Sequence, residues 1–188
     1  MPKGSSDISF DISAEGCILA ATLLLLLPLP WVAAAATAAL FHELCHGIAA
    51  ILCNGNVRRI VIGSRGVVME VEGLRPEREL ICALAGPLGG LVLLLWIRWI
   101  PRVAICALVQ SIYNLLPVYP LDGGRALHCL VDLLFPRYSA AICKGIEGGS
   151  LAILLFLTVY GAFCLGLGLA PTVFILALWS KRKNTLQS

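Results

Sequence analysis

From Cys17 to Cys53 the chain runs for 37 residues in which His42, Glu43 and His46 are the only acidic or basic side chains. A helix crossing a bilayer needs about 20 apolar residues, so this run holds two short helices, with Pro28 and Pro30 marking the turn between them. Further apolar stretches run from Leu80 to Ile100, from Val103 to Tyr119 and from Ala140 to Ser180. The last is interrupted by Gly166, Gly168 and Pro171. With 59% hydrophobic and 13% charged residues, the chain is neither an ordinary soluble domain nor a disordered one. Its net charge of +3 is small and scattered, which excludes a nucleic-acid partner.

The expected fold is therefore a membrane all-α bundle of about six transmembrane helices, near residues 16–29, 31–53, 80–100, 103–119, 140–165 and 168–180. It forms a single intramembrane domain over residues 1–188. Ala33 to Ala36 imitate a signal-peptidase site, but the long leader carrying Asp7, Asp11 and Glu15 argues against a cleaved signal. Between the second and third spans, Val57 to Ile62, the Gly63–Gly66 turn and Val67 to Val71 read as a β-hairpin, and Ile8 to Ile12 alternates like a strand. The eight cysteines form no Cys-x-x-Cys pair and lie in or beside apolar runs, as small, reduced, buried residues do.

Charge orients the bundle. With six spans and a cytoplasmic N-terminus, 12 of the 14 lysines and arginines fall inside, and only Arg98 and Arg102 fall outside. Both termini and the hairpin are then cytoplasmic, in an integral protein of a cell membrane, expected to be bacterial.

Ionisable groups at bilayer depth are costly unless paired or used. His42 and His46 lie four residues apart, on one helix face, so both imidazoles can reach one metal ion, and Glu43 between them can reach a metal-activated water. Chance alone would produce this spacing roughly 0.002 times in such a composition. Catalytic zinc usually takes three protein ligands, and the candidates for the third are Asp122, His128, Cys53 and Cys129. Asp122 follows a stretch broken by Pro117 and Pro120 and is itself followed by Gly123 and Gly124, which are expected to let the backbone turn. His46, about 10 Å below the cytoplasmic surface at 1.5 Å per residue, and Asp122 fall in the same leaflet. His128, in the apolar stretch Ala126 to Phe135, is expected to serve packing.

Three ordered blocks, His42-Glu-Leu-Cys-His46, Ala85-Gly-Pro-Leu-Gly-Gly90 and Asn114 to Arg125, resemble the site-two proteases, intramembrane zinc metalloproteases. The likeness is greatest to the branch of the bacterial sporulation sigma-factor-processing protease. The resemblance implies one Zn²⁺ held by His42, His46 and Asp122, with Glu43 as general acid and base and Asn114 near the substrate or developing oxyanion. It implies hydrolysis of membrane-tethered protein substrates within the lipid bilayer. Two departures stand out. Many members carry Asn where this chain has Gly90, and the chain has no room for a PDZ or CBS domain, so a separate regulatory membrane protein is expected. Gly86, Pro87, Gly89 and Gly90 are read as small residues for close helix packing. The alternative class is a non-catalytic membrane protein that binds metal or client segments, which would not need a base between its ligands.

Overall fold

Proline placement decides where the helices begin. Helix α1 (Leu29–Leu52) starts behind Pro28 with Pro30 in its first turn, and α2 (Pro76–Val92) and α3 (Pro101–Asn114) each begin on a proline. A helix's first N–H groups lack intrahelical acceptors, so a missing one does little harm there. The computed structural model describes residues 9–12, 28–63, 66–72 and 74–164. Of the expected first span only residues 28 and 29 are described, and Leu29 already belongs to α1; the expected span at 168–180 lies outside the described residues. The chain divides into two compact units, Met1–Leu115 and Leu116–Ser188.

The first unit holds α1 to α3 and a three-stranded sheet. Helix α1 ends in a Schellman turn, with Asn54 at a positive φ of 56°. The Gly55 N–H donates to Ala50 O at 2.8 Å and the Asn54 N–H to Ile51 O at 3.0 Å. Strand β2 (Asn56–Gly63) then pairs antiparallel with β3 (Gly66–Glu72), and β1 (Ser9–Ile12) pairs parallel with β2, giving the order β1-β2-β3. Ser64 and Arg65, in the expected Gly-rich turn, lie outside the described residues.

Helix α2 opens with Glu77 and Glu79 in its first turn, where carboxylates favour the dipole. Arg78 Nη1 donates to Cys53 O at 2.9 Å, tying the start of α2 to the end of α1. The α-helix stops at Val92 and passes through a 3-10 turn, Leu93–Trp96, short of the expected Ile100. Ile100 precedes Pro101 and sits at φ −127°, ψ 57°, because a residue before proline is pushed out of the helical region. For the same reason α3 closes at Asn114 rather than at Tyr119: Pro117 and Pro120 forbid continuation.

Small residues let these three helices approach. The buried positions are Ala34, Ala38, His42, Ala49 and Ala50 of α1, Cys82, Ala83, Gly86, Pro87 and Gly90 of α2, and Ala104, Ala107 and Ser111 of α3. Leu44, Ile48, Ile51 and Leu52 are exposed on the outside of α1, the reverse of a soluble protein's pattern. Among the described residues three helical segments are long and apolar enough to cross a membrane: Leu29–Leu52, Pro76–Trp96 and Ser139–Phe163.

The second unit contains α4 (Asp122–Leu134) and α5 (Ser139–Cys164). Here the structure corrects one expectation: Gly123 and Gly124 do not turn the chain but lie buried inside the first turn of α4. A Cβ on Gly124 would collide with the Tyr119 amide nitrogen and the Val118 carbonyl. Glycine is there so that the helix can lie against the connection preceding it.

Candidate metal centre

In α1, His42 lies one and two turns beyond Ala38 and Ala34 on the buried seam and is only 2% exposed. His46, one turn further on, is half-buried. The two rings meet edge to face with centroids 4.7 Å apart, and their Nε2 atoms approach to 3.1 Å.

Hydrogen bonding makes those nitrogens ligand-like. His46 Nδ1 lies 2.7 Å from Cys82 O on α2, and a carbonyl can only accept, so Nδ1 carries the hydrogen and Nε2 of the neutral ring keeps its lone pair. On the other ring, Asn114 Nδ2 of α3 donates to His42 Nε2 at 3.2 Å, which also requires a lone pair there. Two lone pairs facing one another suit a shared cation. With Zn–N bonds of about 2.0–2.1 Å, two nitrogens of a tetrahedral ion stand about 3.3 Å apart, close to the 3.1 Å between these Nε2 atoms.

Helix α2 supplies the space. A Cβ at Gly86 would overlap His46 Nε2 and stand 2.7 Å from His42 Nε2. The Gly-Pro block therefore does more than let helices pack, since Gly86 keeps open the face toward which both imidazoles converge. One turn along, a Cβ at Gly90 would collide with Ser111 Oγ of α3. Ser111 is fully buried and its hydroxyl makes no hydrogen bond among the described residues. The serine thus occupies the room a side chain at Gly90 would need.

Inside the first unit, then, His42, His46 and Asn114 come together around Gly86. Glu43 is half-buried on the neighbouring face of α1. Asp122 belongs to the second unit, half-buried as the first residue of α4. Of the other third-ligand candidates, His128 is engaged by Glu147 of α5, its Nε2 donating to Glu147 Oε1 at 2.8 Å. Cys53 caps the end of α1, and Cys129 is buried in α4. Sequence reasoning missed Gly86 as a contributor and the Cys82 carbonyl as the imidazole partner. Glycines at Gly86 and Gly90, one helical turn apart, were the available signal for the first. A backbone acceptor leaves no signal at all.

Comparison with known proteins places the chain in a family. A family model described as Peptidase M50B-like matches residues 16–121. Zinc metalloprotease MJ0392 of Methanocaldococcus jannaschii is 26% identical over 130 residues, covering 62% of this chain and 38% of that protein. Stage IV sporulation protein FB of Bacillus subtilis is 30% identical over 115 residues, covering 54% of this chain and 40% of the relative. The match thus spans about two-fifths of each relative's length. The solved structure of a site-2 protease from Methanocaldococcus jannaschii shares the fold, with a TM-score of 0.66 at 18% identity over 98% of this chain and 93% of that one.

Proposed function

Because the chain belongs to the Peptidase M50B-like family, we propose that it is an intramembrane zinc metalloprotease that hydrolyses peptide bonds of membrane-tethered proteins. The observation that carries this reading is the pair of Nε2 atoms, 3.1 Å apart over Gly86, with the His46 ring oriented by the Cys82 carbonyl.

In this proposal His42, His46 and Asp122 hold a single Zn²⁺. Zinc, when bound, supplies a Lewis acid that polarises a carbonyl and activates water near neutral pH. A carboxylate as third ligand offsets one of its charges beside two neutral imidazoles, which matters at low dielectric. Glu43, next to His42 on the helix, takes a proton from water and returns it to the departing amine. Once the His42 Nε2 lone pair is committed to the metal, the Asn114 amide is available to donate to the substrate carbonyl, where negative charge develops.

We further read the chain as a six-span protein with both termini and the β2–β3 hairpin in the cytoplasm, its active site nearer that side, in a bacterial cell membrane. A helical substrate hides its amides and must unwind before cleavage. Addition as a further strand to an edge of the sheet would hold it extended, with main-chain hydrogen bonds supplying the affinity.

Glu43→Gln in the purified full chain tests the reading. It should keep membrane insertion and bound zinc while losing cleavage of membrane-tethered substrates, because only proton transfer is removed. Undiminished turnover in that variant would sink the metalloprotease assignment, and zinc binding without turnover in the unaltered chain would favour the non-catalytic alternative.

A further inference from the structure

The second unit carries a polar cluster to which the proposed chemistry gives no role. Glu147 lies in the apolar helix α5, with its side chain only 3% exposed. A carboxylate withdrawn from water in such a helix is unfavourable unless charge-assisted hydrogen bonds compensate it, and an apolar residue would pack there more readily. Its Oε1 accepts from two donors, His128 Nε2 of α4 at 2.8 Å and the backbone N–H of Tyr119 at 3.3 Å. The Tyr119 ring meets the His128 imidazole edge-on, with centroids 5.9 Å apart.

Tyr119 is the informative partner. It belongs to the connection Leu116–Leu121, between Pro117 and Pro120, where no helix supplies an acceptor for its amide. The same nitrogen lies against Gly124 so closely that a Cβ there would strike it. The connection is thus pressed onto the first turn of α4 and bound through Tyr119 to α5. Its path then determines where α4 begins: Leu121 N–H donates to Val118 O at 2.9 Å, and Arg125 N–H donates to Leu121 O at 3.0 Å. Asp122, first residue of α4, leaves the backbone three residues after the anchored amide.

We propose that Glu147 is a positioning residue: with His128 it anchors the Tyr119 amide and so fixes the direction in which Asp122 is presented to the metal. The proposal rests on Asp122 being the third zinc ligand. Through Oε1 the carboxylate joins α5, α4 and the connection, and the anchor spares Asp122 the entropy of ordering a loose connection at the moment of binding.

Zinc retention in the purified full chain, read by titration with a competing chelator, tests this, with the d–d absorption of the Co²⁺-loaded protein reporting ligand geometry. Glu147→Leu removes the acceptor and should weaken metal retention about tenfold, the lower end of what supporting partners of metal ligands contribute, with an altered Co²⁺ spectrum. Glu147→Gln keeps an oxygen acceptor and should lose less, with a spectrum close to the unaltered chain's. His128→Leu leaves the Tyr119 bond and should fall between the unaltered chain and Glu147→Leu. It also gives a reading if Glu147→Leu fails to fold. Unchanged retention and spectrum in Glu147→Leu would overturn the proposal. So would losses in all three variants that simply track lower thermal stability of the metal-free protein. Asp122→Asn separates the two levels: full retention there refutes Asp122 as a ligand, whereas weakened retention there with none in the Glu147 variants refutes only the anchor.

Discussion

Histidines meet two different fates in the two units. In the first, His46 donates Nδ1 to a backbone carbonyl and turns Nε2 toward Nε2 of His42. In the second, His128 spends Nε2 on the buried carboxylate of Glu147. Both kinds of histidine sit in helices, and the partner decides the role. A neutral carbonyl fixes the ring and leaves the other nitrogen with its lone pair, whereas a carboxylate takes up the nitrogen itself. Space follows the same division, since Gly86 clears the face opposite the His42–His46 pair while Gly124 clears room for the backbone that Glu147 holds.

The comparison breaks most visibly at Gly86. Gly86→Ala places a methyl against both Nε2 atoms, so the rings must turn away from their shared point. Bound zinc should be lost, with cleavage falling at least about 100-fold; metal analysis of the purified variant checks it. Gly124→Ala, its counterpart in the second unit, should strain the Val118–Tyr119 backbone and cost about 1–3 kcal/mol in unfolding, with His42 and His46 still able to bind a metal. If the alanine at 86 kept zinc, the point where the two Nε2 atoms converge would not be the metal's place.

Asn114 gives the next largest effect. Its amide is the donor resolved at His42 Nε2, and removing a donor aimed at a developing oxyanion costs about 10²–10³ in turnover. Asn114→Leu should therefore lower kcat by about that factor while zinc content stays near full. A parallel fall in zinc would make Asn114 an orienting partner of His42 instead. His128→Gln should change cleavage by no more than about threefold, because Glu147 retains the Tyr119 amide and a glutamine can still donate. A loss as large as that for His46→Gln would erase the distinction between the two kinds of histidine.

What could be read from the chain follows the range of the forces involved. The His42–His46 spacing, the Pro28–Pro30 turn that opens α1 and the end of the apolar run at Cys53 are local, encoded within one or two turns, and the residues alone reveal them, whereas α2 and α3 start at Pro76 and Pro101, ahead of the expected 80 and 103. The Cys82 carbonyl, the overlap of Gly86 with the imidazoles and the Glu147–His128 bond join elements far apart in sequence. Nothing in residue type announces them. Gly123–Gly124 was misleading for a related reason. Two glycines after an aspartate read as a turn, but close backbone approach demands glycine as strictly as a positive φ does, and only the packed structure separates these causes.

The smallest effect concerns Gly90 and Ser111, which meet one helical turn beyond Gly86. Ser111 Oγ occupies the volume a Cβ at Gly90 would need, while Ser111 Cβ stands 3.7 Å from that point, at ordinary contact distance. Gly90→Ala alone should then destabilise the first unit by about 1–3 kcal/mol, the range for overpacking a tight core. Ser111→Ala alone should be near neutral or slightly stabilising, because it removes a buried hydroxyl that makes no hydrogen bond among the described residues. Combined, the two alanines should recover most of the loss, since the colliding atom is gone, giving a coupling of about 1–2 kcal/mol in a double-mutant cycle. Zinc content should hold throughout, because the collision is with Ser111 Oγ and not with an imidazole. Additive losses would mean that the hydroxyl does not set the choice of glycine at 90, and zinc loss in Ser111→Ala would extend the metal site one turn further along α3 than Asn114.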